Sequence, residues 1–143
     1  MCQNCLVKTI HHAQHHFGWD NSLSPVLHVA SGSQLEFHCL DAANGWFNAG
    51  STAADIPTLP FDKLNPVSGP VYVEGAQPGD ALKVTLESFR PNGFGWTANI
   101  PGFGLLADQF SDPALTLWQY DRQALTPCAF GRYGRVPLKP FAG

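Results

Sequence analysis

The sequence predicts a mainly β fold, on two stretches of alternating apolar residues and on the even scatter of turn-forming residues. Between Pro25 and Cys39, Val29 leads to the turn Ser31-Gly32-Ser33. Leu35, Phe37 and Cys39 then point one way, with Glu36 and His38 the other. Val71 and Val73 lead to Gln77-Pro78-Gly79-Asp80, after which Leu82, Val84 and Leu86 alternate against Lys83, Thr85 and Glu87. Twelve Pro and fourteen Gly are dispersed along 143 residues, as many turns and short strands require. No helix longer than about three turns is predicted.

Each alternating stretch is expected to be a half-buried strand-turn-strand. Pro78 presets φ for a turn whose next residue, Gly79, accepts φ > 0. The echo between Ser-Gly-Ser-x-Leu-x-Phe and Pro-Gly-Asp-x-Leu-x-Val is one local solution used twice, too few copies for a solenoid. Asp41 to Asn65 is long for a bare loop and therefore a candidate functional loop, with a helical turn at Thr52–Ile56. Phe94 to Leu105 mixes aromatics with Gly, as in loops that wall a pocket. Leu105–Phe110 could open a short helix, Leu115–Asp121 reads as strand, and Arg135–Leu138 is extended beside Pro137.

Composition narrows the function classes. Hydrophobic residues make up 44% and charged residues 13%, below the usual quarter, so a surface partly covered by a partner is expected. A net charge of −3 without a Lys/Arg run favours neither nucleic acid nor an anionic membrane. The longest apolar runs fall far short of a membrane span. The N-terminus carries no secretory segment and the four Cys form no disulfide framework, so a cytoplasmic location is expected.

Three groups could carry chemistry. The first is the His-rich start, where Cys2-x-x-Cys5 precedes His11, His12, His15 and His16. A zinc knuckle or thiol sensor is one reading; a frayed terminus with too short a gap is the other. His16 with Asp20 could be a site element or a surface hydrogen-bonded pair. The second is Asp41, at the end of the first alternating stretch, placed for acid/base or metal work or merely for an Asx-turn. The third is Glu74, inside an apolar strand; it is either a paired or ligating carboxylate or an outward-facing residue before a turn. Cys39 reads as a core thiol and Cys128 as the more exposed one, with no activating neighbour. No phosphate loop, nucleophile elbow or Ser/Lys amidase signature is present.

Several ordered motifs add a resemblance. His16-x-x-Trp19-Asp20-Asn21-Ser22, Ser24-Pro25-Val26, Val29-x-Ser31-Gly32 and Asp41-Ala42 come first. Then follows Pro66-Val67-Ser68-Gly69-Pro70-Val71-Tyr72-Val73-Glu74-Gly75-Ala76-Gln77-Pro78-Gly79-Asp80-Ala81-Leu82. Gly95-Trp96-Thr97-Ala98 and Val136-Pro137-Leu138-Lys139-Pro140-Phe141 complete the order. Together they resemble the N-terminal half of the acetamidase/formamidase family.

The resemblance implies a β-sandwich or barrel-like fold, homo-oligomeric assembly, and hydrolysis of small amides to a carboxylate and ammonia. Some relatives act on cyclic amides such as γ-lactams. It also implies a divalent metal, zinc being expected. Carried over residue by residue, it makes Asp41 and Glu74 the expected catalytic residues and His16, Asp20 and Asp41 the expected metal ligands.

On this reading residues 1–14 are a lead segment and 15–143 half of an amidase β domain. Family members continue into a second half, expected as a companion polypeptide from a split gene or, the favoured reading, from cleavage after Gly143; the alternative is a truncated sequence. After cleavage, the companion's new N-terminal residue could serve as nucleophile. The rival from another class is a non-catalytic β-module binding a small molecule or partner on an apolar wall of Trp46, Phe47, Phe94 and Trp96.

Overall fold

A computed structural model describes residues 7–141. Ten short strands appear in chain order: β1 (Lys8–Ile10), β2 (His15–His16), β3 (Leu27–Val29), β4 (Leu35–Phe37), β5 (Val67–Ser68), β6 (Val71–Val73), β7 (Phe94–Asn99), β8 (Ala114–Gln119), β9 (Cys128–Phe130) and β10 (Gly134–Val136). Two 3₁₀ helices, Ala53–Thr58 and Phe61–Lys63, interrupt the long loop. The mainly β expectation holds, and the turn foreseen at Thr52–Ile56 is the first of these helices.

The chain forms two compact units. One runs to Trp46 and resumes over Leu59–Leu82; the other comprises Phe47–Thr58 and the chain from Lys83 onward. In the first, β1 pairs in parallel with β4, β3 in parallel with β6, and β2 antiparallel with β5. Its buried apolar residues are Ile10, Val29, Ala43 and Leu59. Strand β1 falls within the stretch read as a lead segment, and its Ile10 is only 1% exposed. Cys2 and Cys5 lie outside the described residues.

The expected hairpin across Ser31-Gly32-Ser33 does not form. A turn is present, with the Ser33 amide donating to the Ala30 carbonyl, but β3 and β4 then take β6 and β1 as partners. Alternation reports that one face of a strand is covered; it carries no information about which strand supplies the ladder, or in which direction. The second expected strand pair is corrected as well. The turn at Gln77–Asp80 is made, the Asp80 amide donating to the Gln77 carbonyl, but Leu82–Leu86 joins no sheet among the described residues.

In the second unit, Phe94–Leu105 is not the pocket-walling loop its glycines suggested. Residues 94–99 form β7, antiparallel to β8 in the register Phe94↔Gln119 to Asn99↔Ala114. Trp118 Nε1 donates across the pair to Thr97 Oγ1 at 2.9 Å. Gly93 opens this strand at φ +91°, and a Cβ there would meet the Tyr120 carbonyl oxygen at 3.0 Å. Gly93→Ala should therefore destabilise the complete protein by about 1–2 kcal/mol or more, read as a lowered denaturation midpoint at unchanged m-value.

Phe47 and Ile56 are the buried residues of this unit, and the Phe47 and Trp96 rings lie 4.8 Å apart. The apolar wall proposed for a binding module is thus partly core. The helix expected at Leu105–Phe110 is a single helical turn, with the Phe110 amide donating to the Leu106 carbonyl. Strands β9 and β10 form a terminal hairpin in the extended segment before Pro137. Among the described residues no helix is long and apolar enough to cross a membrane.

Candidate functional site

Strands β3 and β6 set out the most chemically interesting side chains. Their register, Leu27↔Val71, His28↔Tyr72 and Val29↔Val73, puts like-facing residues opposite one another. Val29 is buried, so His28 and Tyr72 take the outer face. The Glu74 amide donates to the Val29 carbonyl at 2.8 Å, extending the ladder by one residue and placing Glu74 on the His28 face.

There His28 Nδ1 and Glu74 Oε1 are 3.0 Å apart, each side chain 57% exposed. The His28 and Tyr72 ring centroids are 5.0 Å apart. A neutral imidazole that donates from Nδ1 to the carboxylate presents Nε2 as an acceptor. A half-exposed pair of this kind adds little to stability. What it supplies is a fixed ring orientation and tautomer, the arrangement by which a carboxylate prepares a histidine to take a proton.

His28 was missed by sequence reasoning, which had stopped at Glu74. The signal lay in Leu27-His28-Val29, a polar residue between two inward-facing ones. It could be used only once the pairing with Tyr72-x-Glu74 was known.

Asp41 works differently. Its Oδ1 accepts from the Ala43 amide at 2.8 Å and its Oδ2 from the Gly45 amide at 2.9 Å. Asn44 and Gly45 take φ of 55° and 74°. Both carboxylate oxygens therefore hold the start of the long loop in its turn, and Ala43 is buried beneath it. The loop is further tied by the Asn65 amide donating to the Ala42 carbonyl.

His16 and Asp20 engage separate partners. His16, on β2, approaches the Gly69 carbonyl through Nδ1 at 3.3 Å. Asp20 Oδ1 accepts from the Ser22 hydroxyl at 2.6 Å and from the Ser22 amide at 2.9 Å. The Ser22 hydroxyl, more than its amide, holds the Asp20 carboxyl below the usual range, against a small opposing effect of desolvation. Ser22→Ala should raise the Asp20 pKa in an NMR titration. The sign follows from linkage: a depressed carboxyl stabilises the fold above its unfolded pKa and loses that contribution as pH falls through the folded value. An unchanged Asp20 titration would remove the hydroxyl as the cause.

The expected metal ligands do not fit a zinc ion by themselves. Among the described residues no three His, Cys, Asp or Glu side chains are grouped to hold a metal. His16, Asp20 and Asp41 are each turned to a different local hydrogen bond, whereas zinc needs a convergent set of three or four donors.

The thiols also depart from expectation. Cys39 is exposed rather than buried, accepting from Ser68 Oγ at 3.8 Å, and Cys128 is the half-buried one. A shallow cavity of about 430 Å³ lies in the second unit, lined by Asn99, Gln109, Phe110 and Asp112. The Asn99 side-chain amide is already spent on the Phe110 and Asp112 carbonyls, so this opening offers little chemistry.

The fold is shared with solved structures of acetamidase-type proteins. The crystal structure of an acetamidase from Bacillus halodurans aligns with 91% of the chain at a TM-score of 0.70 and 22% identity. That of a predicted acetamidase/formamidase from the thermophile Thermoanaerobacter tengcongensis aligns with 94% at 0.81 and 22%. At these identities the likeness concerns the fold.

The sequence comparison is more specific. The model of the Acetamidase/Formamidase family matches residues 6–130, and the chain belongs to that family. A formamidase of Methylophilus methylotrophus is 28% identical over 113 residues, 75% of this chain. An acetamidase of Mycolicibacterium smegmatis is 27% identical over 124 residues, 78% of this chain. The chain spans only 28% and 30% of the length of these two relatives, and 42% and 43% of the two solved chains.

Proposed function

We propose that this chain supplies part of an amide-hydrolysing site, completed by the portion of the family fold that lies outside this sequence. Family membership supports the reaction class, since relatives carry the names formamidase and acetamidase. The observation that carries the residue assignment is the 3.0 Å contact between His28 Nδ1 and Glu74 Oε1.

In this reading His28 acts as general base through Nε2. It takes a proton from the water that attacks the carbonyl carbon of a small amide and returns it to the departing nitrogen. Glu74 is a positioning residue: it fixes the imidazole tautomer and stabilises the imidazolium that forms. Asp41 shapes the loop at 41–45 by accepting from its Ala43 and Gly45 amides, and Asp41→Ala would unmake that turn. The substrates proposed are small open-chain amides of the formamide and acetamide kind, with γ-lactams as a cyclic extension.

Any zinc is assigned to a ligand set drawn largely from the remainder of the fold, to which His16, Asp20 or Asp41 could add single donors. The complementary portion is proposed as a companion polypeptide, and homo-oligomerisation of the completed unit as its assembly.

The experiment is ammonia release from formamide and acetamide by the completed protein. Wild-type turnover with strongly reduced turnover in His28→Ala and Glu74→Gln supports the assignment. Full activity in both variants would overturn the roles of these two residues. Absence of any amide hydrolysis by the completed protein would overturn the reaction class.

A further inference from the structure

The outer face of the β3–β6 pair carries a third functional group that the roles of His28 and Glu74 leave unused. Tyr72 is the cross-strand partner of His28 and stands two residues before Glu74, so the three side chains leave the pair on one face. The Tyr72 ring centroid is 5.0 Å from that of His28 at an interplanar angle of 39°, and the residue is 41% exposed. This contact engages the ring and leaves the hydroxyl unspent. Among the described residues Tyr72 Oη has no hydrogen-bond partner. His28 Nε2 is equally open, since Glu74 takes Nδ1.

The strand beneath is held from its other edge. The Val29 carbonyl accepts from the Glu74 amide and so faces β6; carbonyls alternate along a strand, which turns that of His28 the opposite way. There Lys8 Nζ, reaching from β1, donates to it at 3.1 Å. His28 is thus fixed at its ring by Glu74 and at its backbone by Lys8. The Tyr72 hydroxyl is carried on the neighbouring strand at a set register. A proton acceptor and a hydrogen-bond donor, both unengaged, stand side by side on a braced strand pair.

Resting on the reading of His28 as general base, we propose that Tyr72 is a further catalytic residue of amide hydrolysis. Its hydroxyl donates to the carbonyl oxygen of the bound amide and to the oxyanion that follows. Water adds to the carbonyl carbon, forming a C–O bond as its proton passes to His28 Nε2. The π electron pair of the carbonyl moves onto the oxygen that faces Tyr72 Oη. The C–N bond then breaks, the nitrogen takes the proton from Nε2 and leaves as ammonia, and the carboxylic acid remains. Tyr72 keeps its own proton throughout; the hydroxyl has only to be aimed. Its hydrogen bond strengthens as negative charge gathers on the oxygen, so it favours the transition state over the bound amide.

The test is steady-state kinetics of the completed protein on acetamide with Tyr72→Phe, which keeps the ring against His28 and removes the hydroxyl alone. The expected result is a kcat lowered about 10²-fold, the low end for one oxyanion donor because the face is half exposed, with KM within about threefold of wild type. Methylboronic acid, whose hydrated tetrahedral anion places an oxygen where the oxyanion forms, should inhibit this variant at least about tenfold more weakly.

Wild-type kcat in Tyr72→Phe would overturn the proposal and leave Tyr72 as a ring packed on His28. A lowered kcat with methylboronic acid inhibition unchanged would overturn it too, since the hydroxyl would then not be reading the oxyanion. Full activity in His28→Ala would sink the underlying reading and the proposal with it. A crippled His28→Ala beside a fully active Tyr72→Phe would strike the hydroxyl alone and leave that reading standing.

Discussion

Phe47→Ala should destabilise the protein by about 3–5 kcal/mol, enough to unfold a marginal domain at ordinary temperature. Phe47 is 3% exposed, and its ring lies 4.8 Å from that of Trp96, which β7 presents in register with Leu117 of β8. Phe47 and Ile56 alone make up the fully buried apolar set of its unit among the described residues. A core this small has few neighbours able to collapse into the space, so most of the cavity cost is retained. Phe47→Leu, which keeps much of the volume, should lose less than half as much. The measurement is the denaturation midpoint of both variants at equal m-value. A loss below about 1 kcal/mol for Phe47→Ala would mean that Phe47 is not a core residue, and would return it to the apolar wall of a binding module.

His28→Ala should lower kcat/KM for formamide and acetamide by about 10²–10⁴-fold in the completed protein, the usual contribution of a positioned acid/base group. A structural role predicts something else. The side chain is half exposed, so its removal costs little stability, and the denaturation midpoint should stay within about 0.5 kcal/mol of wild type. Glu74→Gln is the sharper probe. It keeps the shape and a hydrogen-bond acceptor for Nδ1 but removes the charge that stabilises the imidazolium. Activity should fall while the denaturation midpoint stays put, because the ring keeps a partner but loses the charge that holds it for proton transfer. A Glu74→Gln change that lowers activity as much in the His28→Ala background as in wild type would show that Glu74 acts otherwise than through His28.

The site was legible in the sequence to an unequal degree. Asp41 could be seen to stand where a strand opens into a long Gly-containing loop, and the structure places both its oxygens in the local turn that such a position favours. That geometry is short range, set within five residues, and local chemistry writes it. The partner of Glu74 was not legible, because His28 lies 46 residues earlier and nothing in either stretch marks the other. His16 and Asp20, close in sequence, were expected to converge; each instead satisfies its hydrogen bonding with the nearest backbone or hydroxyl group. Hydrogen bonds form with what is adjacent unless packing forces otherwise, and here packing is sparse.

Family membership and the mainly β class belonged to the sequence alone. Ordered motifs and period-two alternation survive without knowledge of any partner, since each is a property of a contiguous stretch. The turns at Ser31–Ser33 and Gln77–Asp80 were equally local. Only the tertiary structure decided that β3 pairs with β6 and β4 with β1, both in parallel, in place of a hairpin. It likewise turned Phe94–Asn99 from loop into strand and left Leu82–Leu86 outside every sheet among the described residues. A strand's side chains announce that one face needs cover, but its ladder of identical amide and carbonyl groups accepts any edge. The choice of edge is made by whichever distant segment buries the most surface.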